Sequence, residues 1–225
     1  MFNLKIGQSL RSLVMLALLL TVWLPTASAA QAAGEVTKMV GRASAATLDG
    51  DIRALKESSA VNAGDTVVTS TNSFVRMKLS DGAYVMLRPN TRFQIEDYQY
   101  AENANEGRSI FNLLKGGFRA ITGAIGKRNH ASVSFRTAVA TIGIRGTDFE
   151  VIDCSLGCPD ISTTSDPGLY FKVHDGGIDV NGKGFDQNTG GFMPPGGEPT
   201  ELDFNAPNNP LNADPTPSAD PEDCL

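Results

Sequence analysis

The chain has 225 residues, of which 19 are Lys or Arg and 25 are Asp or Glu, so its formal net charge is −6. The charge is uneven, because residues 31–150 carry 15 bases and 12 acids, whereas residues 151–225 carry 2 bases and 13 acids. Bases dispersed through an acidic chain form no dense cationic surface for phosphates, which excludes a nucleic-acid-binding protein. The mature length of about 190 residues suffices for one hydrophobic core with a tail, but not for two full domains.

Residues 1–29 have the pattern of a signal peptide. Two basic residues precede an apolar run at residues 13–24, and the Ala-Ser-Ala at residues 27–29 offers the small side chains that signal peptidase accepts. The alternative is a retained membrane anchor, but a spanning helix needs about 20 apolar residues, more than this run contains. We therefore expect cleavage before Ala30, no stable membrane span in the mature protein, and a location in the periplasm or, alternatively, outside the cell.

Residues 34–182 alternate short apolar stretches with Gly, Asn and Asp, which is typical of an all-β domain. Apolar and basic side chains alternate over residues 74–79, and Asp81-Gly82 marks a hairpin turn before a return strand at 83–87. One helical turn is predicted at residues 53–60. Short strands at this spacing predict a sandwich, roll or solenoid-like fold. Further strands are predicted at residues 92–96, 109–114, 118–121, 133–137, 139–144, 147–152, 169–173 and 178–180.

Residues 183–225 are predicted to form a Gly/Pro-rich acidic tail. Eight of the 12 prolines lie in residues 194–225, beside Asp, Asn and Gly. Such a composition buries too little apolar surface to offset the entropy of ordering the chain. We expect a disordered acidic Pro-rich segment, most clearly over residues 195–225.

The three cysteines indicate one local disulfide. Cys154 and Cys158 are close enough to close a small loop, and an exported protein meets oxidising conditions, so we predict that they pair. The sequence leaves the pairing of Cys224 open. A metal site would need more ligands than two histidines and these cysteines provide, so neither a metal nor a cofactor is predicted.

No set of residues suggests catalysis. His130 follows a polar turn, and His174 ends a predicted strand beside Asp175, where a surface role is the simpler interpretation. Residues 175–182 resemble one copy of a glycine-rich calcium turn, but calcium solenoids need stacked copies. We interpret this segment as a hairpin joining strands 169–173 and 178–180, and the protein as a non-enzyme.

Six bases and no acid lie within residues 107–136. One interpretation, which we favour, is the solvated face of a sheet. The other is a surface for an anionic partner, such as an envelope polysaccharide, phospholipid headgroups or the acidic tail of this chain. The six are Arg108, Lys115, Arg119, Lys127, Arg128 and Arg136.

Five short segments together resemble the FecR-type domain family. The most specific is the Arg-Gly-Thr-x-Phe-x-Val run at residues 145–151, and the others are Gly-Asp-x-Val-x-Thr at 64–69, Asp-Gly at 81–82, Pro-x-Thr at 89–91 and Gly-Gly-Phe at 116–118. Their order and spacing agree over about residues 60–152. The motif residues, to which we assign a structural role, are Gly64, Asp65, Asp81, Gly82, Arg145, Gly146, Thr147 and Phe149.

The resemblance implies an exported, non-enzymatic β domain, related to the periplasmic part of regulators that relay a receptor's signal to a sigma factor. We expect the partner to be an envelope protein or a polysaccharide. In one hypothesis the domain is a sensing or regulatory module that captures a partner strand at an exposed sheet edge. In the other it is a structural, polysaccharide-contacting scaffold that uses the bases of residues 108–136.

Overall fold

The computed structural model describes residues 32–102, 107–158, 165–203, 205 and 209–212. The predicted signal peptide and Cys224 lie outside these residues. The described residues form seventeen strands, one short α-helix and two single-turn 3₁₀ helices. These are β1 (Ala32–Val40), β2 (Ala43–Ala46), β3 (Ile52–Ala54), β4 (Ala60–Asn62), β5 (Thr66–Thr69), β6 (Phe74–Leu79), β7 (Tyr84–Leu87), β8 (Arg92–Gln99), β9 (Arg108–Ile121), α1 (Ala124–Arg128), a 3₁₀ helix (His130–Ser132), β10 (Val133–Arg136), β11 (Thr141–Ile144), β12 (Asp148–Asp153), β13 (Leu169–Asp175), β14 (Gly177–Val180), β15 (Lys183–Asp186), β16 (Gly190–Met193), β17 (Thr200–Leu202) and a 3₁₀ helix (Pro210–Asn212).

The strands form two sheets that share β9. Sheet A is antiparallel, in the order β4-β1-β6-β7-β9-β12-β13-β16-β17. Sheet B has the order β3-β2-β5-β8-β9-β10-β11-β14-β15, and only its β9–β10 pair is parallel. The all-β prediction is confirmed.

Strand β9 passes from one sheet to the other in its middle. Its first half pairs with β8 and β10 in sheet B, and its second half pairs with β7 and β12 in sheet A. The change occurs at Gly116, whose φ of +85° is open to glycine and strained for other residues. Each sheet therefore has four strands from the chain before β9 and four from the chain after it.

Aromatic rings from both sheets meet in the core, so the sheets face each other as a sandwich. Phe93, Phe111 and Phe135 come from sheet B, and Phe118 and Phe149 from sheet A. Phe118 stacks on Phe135 with ring centroids 5.1 Å apart, and Phe149 meets Phe135 edge to face at 5.2 Å. All five rings are buried, and burying each contributes about 1.5–3 kcal/mol.

The predicted helical turn at residues 53–60 is wrong, because this segment contains parts of two strands. Strand β3 ends at Ala54, a turn with Ser58 at φ +65° follows, and β4 begins at Ala60. The Arg53 side chain reaches Asp65 Oδ1 at 3.1 Å, which fixes the strand conformation through a contact outside the segment.

The turn at Arg145-Gly146 and the segment between β13 and β14 are crossings between the sheets. Strands β11 and β12 flank the turn at Arg145-Gly146, as the sequence indicates, but β11 lies in sheet B and β12 in sheet A. The hairpin predicted between residues 169–173 and 178–180 is wrong, since β13 pairs in sheet A and β14 in sheet B. The hairpin lies one strand later, where Asn181 and Gly182, both at positive φ, join β14 to β15.

The first part of the segment predicted as a tail is ordered into strands. Strands β15, β16 and β17 lie within residues 183–202, and Phe185 and Met193 are buried in the core. These two apolar side chains are enough to attach the segment to the core, because glycine lets the backbone pack closely. At Gly191, for example, a Cβ would lie 2.0 Å from Phe171 Cζ. The boundary at residue 183 is thus corrected, and residues 213–225 lie outside the described part.

Candidate functional site

Strand β3 forms one edge of sheet B and has a free side. In its antiparallel pairing with β2, Arg53 lies opposite Ala45, so hydrogen bonds alternate and the backbone groups of Ile52 and Ala54 point outward. The Ile52 side chain is 76 % exposed and that of Leu48, in the preceding turn, is 78 % exposed. This edge therefore offers unpaired backbone groups beside two exposed aliphatic side chains, in a form that accepts an added strand.

Arg53 holds this edge in place from the inner side. Its guanidinium donates to Asp65 Oδ1 at 3.1 Å and to the Ala60 carbonyl at 3.0 Å. Asp65 is 2 % exposed, and its hydrogen bond raises the pKa of Arg53. The motif residue Asp65 thus positions β3 without occupying its free side.

The other described edges carry charges or already have partners. On β4, the Asn62 N–H donates to Asp65 Oδ2 at 2.7 Å. On β15, Lys183 Nζ donates to the Pro199 carbonyl at 2.9 Å. Glu201 projects from the three-residue strand β17. Strand β3 is as short as β4 and β17 and also carries a charged residue, Arg53. It differs in presenting the exposed aliphatic side chain of Ile52, so among the edges of the described residues it offers the most apolar surface to an added strand.

The basic stretch predicted from the sequence does not form one surface. Arg108, Arg119 and Arg136 each pair with an acid from a neighbouring strand: Asp97 at 3.3 Å, Asp148 at 2.7 Å and Glu96 at 3.0 Å, respectively. Lys115 lies in the middle of β9, beside the bend at Gly116, whereas Lys127 and Arg128 lie in the last turn of α1. A stretch without acids in sequence is therefore partly neutralised by acids that the sheet brings beside it.

Arg108 and Arg136 line an open polar groove of about 620 Å³ at one end of sheet B. Gln99, Asn129, Ser132 and Ser134 contribute the other polar side chains of its wall. Arg128 and Lys127 precede Asn129 in the chain. Two members of the predicted set thus line one groove, whereas Arg119 lies on the other sheet.

A different group of bases gathers on the outer face of sheet A. The strand registers place Lys38 opposite Arg76, Lys78 opposite Tyr84, and Arg119 opposite Glu150, which faces Lys172 on β13. Four acids lie on this face of strands β1 to β13: Glu35, Asp148, Glu150 and, opposite Asp148, Asp175. We call this surface the basic face, defined by Lys38, Arg76, Lys78, Arg88, Arg119 and Lys172.

Glu150 is the centre of a polar cluster on the basic face. Its carboxylate lies 3.5 Å from Arg88 Nη1 and 3.0 Å from His174 Nε2. Lys172, next to it, is 4 % exposed, and burial lowers the pKa of its ammonium group. The Asn212 side chain accepts a hydrogen bond from Lys172. The C-terminal 3₁₀ helix thus lies beside the buried ammonium group of Lys172.

The Asp81-Gly82 motif forms the predicted hairpin turn and also supports a helix. The Asp81 carboxylate accepts from the N–H of Ala83 (3.1 Å), the N–H of Ile125 (3.1 Å) and the Tyr98 hydroxyl (3.0 Å). Burial, and then the charge of Asp81, raise the pKa of Tyr98. This motif joins β6–β7 to α1 and carries no free functional group.

The Arg-Gly-Thr-x-Phe motif is also structural. The Arg145 guanidinium donates to Asp186 Oδ1 at 2.7 Å, and Gly146 crosses between sheets at φ +69°. The Thr147 N–H donates to the Thr122 hydroxyl oxygen at 2.9 Å, and Phe149 belongs to the aromatic core. Gly64, at φ +89°, lies beneath Leu48, since a Cβ there would be 2.9 Å from Leu48 Cδ1.

Cys154 and Cys158 lie at disulfide distance, as predicted. Cys154 packs with Ile152, Tyr170 and Leu211 in a small second cluster on the outside of sheet A. Within the described ranges, no group of three or more potential metal ligands lies together. None of the helices in these ranges has the length and apolar character needed to cross a membrane.

Sequence reasoning predicted strand capture at an exposed sheet edge without identifying β3 as that edge, and it missed the basic face. The edge depends on which strands remain unpaired, which no local pattern shows. The bases at alternate positions 76 and 78 do indicate one polar face of a strand. That these two bases share one surface with Arg119 and Lys172 can be seen only from the order of strands in sheet A.

Comparison with known proteins gives one family match and similar solved structures. The sequence model of the family described as "FecR protein" matches residues 65–178, which is half of the chain. No curated protein matches. Two crystal structures of a candidate anti-sigma factor from Parabacteroides distasonis ATCC 8503, at 1.65 and 2.50 Å resolution, are similar to this chain, with TM-scores of 0.44 and 0.45 and 14 % sequence identity. The similarity covers 61 % of this chain and 59 % of that protein, so the chain spans less than two thirds of its length.

Proposed function

Because the chain belongs to the FecR protein family, we propose that it is a non-enzymatic sensing or regulatory module that binds a protein partner in the cell envelope. The free edge of β3 is the binding site. The partner contributes an extended segment that pairs with the backbone of Ile52 and Ala54. Its apolar side chains, at alternate positions, contact Ile52 and Leu48. The module acts in the periplasm, after removal of residues 1–29.

The state of the β3 edge is the observation that supports this proposal. Natural edge strands are usually protected by charge, shortness or cover. Strand β3 is as short as β4 and β17, but the guanidinium of its Arg53 is held by Asp65, and the strand presents Ile52 at 76 % exposure. An exposed aliphatic residue on an unguarded edge favours a surface that a partner covers.

Site-specific photocrosslinking in the intact envelope tests this function. A photoreactive amino acid at position 52 of the full chain should crosslink to one defined envelope protein, and the same probe at Thr200 on β17 should not. Ala54→Pro removes an outward N–H without removing a bond to β2, so it should abolish the crosslink while the thermal unfolding midpoint is retained. Ala54→Lys serves as a second variant. Equal crosslinking from positions 52 and 200, or an unchanged crosslink in both Ala54 variants, contradicts the proposal.

The polar groove supports a second candidate function, contact with an envelope polysaccharide. Its wall combines Arg108 and Arg136 with two amides and two hydroxyl groups, which suit an anionic, hydroxyl-rich chain. In titration calorimetry with heparin as probe, Arg108→Gln combined with Arg136→Gln should reduce affinity at least tenfold. Lys56→Gln combined with Lys115→Gln is the matched control for lost charge. Equal effects of the two pairs would exclude the groove.

A further inference from the structure

Lys172 and Asn212 are in contact on the outside of sheet A, and we propose that they form a spontaneous amide crosslink between Lys172 Nζ and Asn212 Cγ, with loss of ammonia. The pair is thus a self-modification site. The bond closes the chain from β13 to the C-terminal 3₁₀ helix into a covalent ring that contains β14 to β17. This inference concerns sheet A and is independent of strand capture at β3, which lies at the edge of sheet B.

The two reacting groups already touch. The Lys172 ammonium group donates a hydrogen bond to Asn212 Oδ1. The carbon atom Cγ lies one bond, about 1.2 Å, beyond this oxygen. A small movement of Nζ therefore brings it to the distance at which an amine attacks a carbonyl group. Leu211, which is 5 % exposed, packs with Ile152 and Tyr170 and holds the 3₁₀ helix in this position.

Burial favours the form of Lys172 that can react. Only the neutral amine has the lone pair that forms a new bond. Lys172 is 4 % exposed, and burial lowers the pKa of its ammonium group. The charge of Glu150 opposes this change, and the charge of Arg88 adds to it. An exposed lysine keeps its proton at neutral pH, so the buried position distinguishes Lys172 as a nucleophile.

Glu150 is the acceptor for the proton that Lys172 must lose. It lies directly opposite Lys172 in the antiparallel pair of β12 and β13, where Cβ atoms are about 4.5–5.5 Å apart. Its carboxylate also lies 3.5 Å from Arg88 Nη1 and 3.0 Å from His174 Nε2. These two contacts hold the carboxylate on the same face of the sheet as the Lys172 side chain, where it can take and return a proton.

The atoms of the reaction balance without an oxidant or a further reactant. The ammonium group first gives one proton to the Glu150 carboxylate, and the Nζ lone pair then forms a bond with Asn212 Cγ. The bond between Cγ and Nδ2 breaks, and a second proton from Nζ turns the leaving group into ammonia. Ammonia takes the proton held by Glu150 and leaves as ammonium, so the carboxylate is restored and the total charge is unchanged. The new amide keeps one hydrogen on Nζ.

Mass spectrometry of the protein purified in its exported form tests for this bond. After reduction and denaturation, the chain should be lighter than its sequence by about 17 Da, the mass of ammonia. No Lys or Arg follows Lys183 in the sequence. Trypsin should therefore release residues 146–183, uncleaved at Lys172, joined to residues 184–225. Fragment ions should locate the bond between positions 172 and 212.

The peptide map and three variants separate this bond from other losses of ammonia. A succinimide at Asn181-Gly182 would lower the mass equally, but it would leave Lys172 open to trypsin. Lys172→Arg and Asn212→Ala should each restore the full mass. Asn205→Ala changes an exposed asparagine in the same part of the chain and should keep the crosslink.

A fourth variant tests the proton acceptor. Glu150→Gln, with its fold checked by circular dichroism, should reduce the crosslinked fraction at least tenfold. An equal fraction in this variant and the unchanged protein would overturn the role of Glu150. The full sequence mass in the folded, unchanged protein, tryptic cleavage at Lys172 in a chain that has lost ammonia, or a crosslink retained in Asn212→Ala would each overturn the proposal.

Discussion

Asp81 shows how one side chain can fix the arrangement of three elements. It is 9 % exposed, and its carboxylate satisfies a backbone group in its own turn, a backbone group at the start of α1 and the hydroxyl of Tyr98. Gly123 must be small here, because a Cβ on it would lie 2.4 Å from Asp81 Oδ2. The hairpin signal at Asp81-Gly82 could be predicted from sequence, but the helix contact could not, since Ile125 is 44 residues away.

Asp81→Ala should lower the free energy of unfolding by about 3 kcal/mol, because it leaves buried donors without a charged acceptor. Urea denaturation followed by far-UV circular dichroism measures this loss. Asp49→Ala, in the exposed turn between β2 and β3, is the control and should change stability by less than about 0.5 kcal/mol. Similar losses in the two variants would contradict the role assigned to Asp81.

Ionisation of Tyr98 should lower the free energy of unfolding at alkaline pH. Burial and Asp81 raise the pKa of its phenol in the folded state, whereas in the unfolded chain the phenol ionises at about pH 10. The stabilisation is therefore complete below about pH 10 and declines as the pH rises from there towards the folded-state pKa. Between about pH 10 and 11.5, the free energy of unfolding should fall less steeply with pH in Tyr98→Phe than in the wild-type protein. Urea denaturation at a series of pH values measures this. Parallel curves would contradict this assignment.

At the scale of elements, local patterns predicted strands well and their partners poorly. The β6–β7 hairpin follows from alternation and from Asp-Gly, both of which lie within 14 residues. By contrast, residues 109–114 and 118–121 read as two strands because Gly116-Gly117 interrupts the pattern, and in the structure they are the two halves of β9. Whether a glycine pair ends a strand or bends it depends on neighbouring strands, here β8 and β12, which the sequence alone does not reveal.

Gly116→Ala should therefore destabilise the protein by about 3 kcal/mol. The new Cβ would lie 2.7 Å from the Thr91 Cα, a backbone atom that cannot move aside, and φ is +85°. Gly182→Ala isolates the contribution of backbone strain, because φ there is +89° and no atom lies within 4 Å of the new Cβ. In chemical denaturation, Gly182→Ala should lower the free energy of unfolding by about 1 kcal/mol. Equal losses in Gly116→Ala and Gly182→Ala would show that the bend in β9 is not sterically constrained.

At the scale of the whole molecule, the two sheets share one aromatic core and one strand, so they should unfold together. Phe118→Ala removes a ring that touches Phe93, Phe135 and Phe149, and should cost about 3–5 kcal/mol. Native-state hydrogen exchange should show equal loss of protection in both sheets. The control Phe192→Ala lies in the smaller outer cluster and should affect only β13, β16 and β17. Loss confined to sheet A after Phe118→Ala would contradict a single cooperative unit.

Composition predicted an acidic tail from residue 183, and the packing of the whole molecule explains why this prediction fails over residues 183–202. Phe185, Met193 and Leu211 are too widely spaced to resemble a core segment, yet each fills a site prepared by other strands. The net charge of −6 likewise conceals the basic face, because its members lie between positions 38 and 172 and only the sheet order brings them together.

The shared strand β9 has a consequence for biogenesis. Before it, the chain supplies four strands to each sheet, and the inner members, β7 and β8, both lack a neighbour until β9 is present. A nascent or translocating chain that ends before residue 108 therefore exposes two strand edges at once, and the same fourteen residues close both. Export through a membrane pore from the N-terminus would leave this half-built state open to aggregation, so we expect chaperone dependence to be greatest just before β9 emerges.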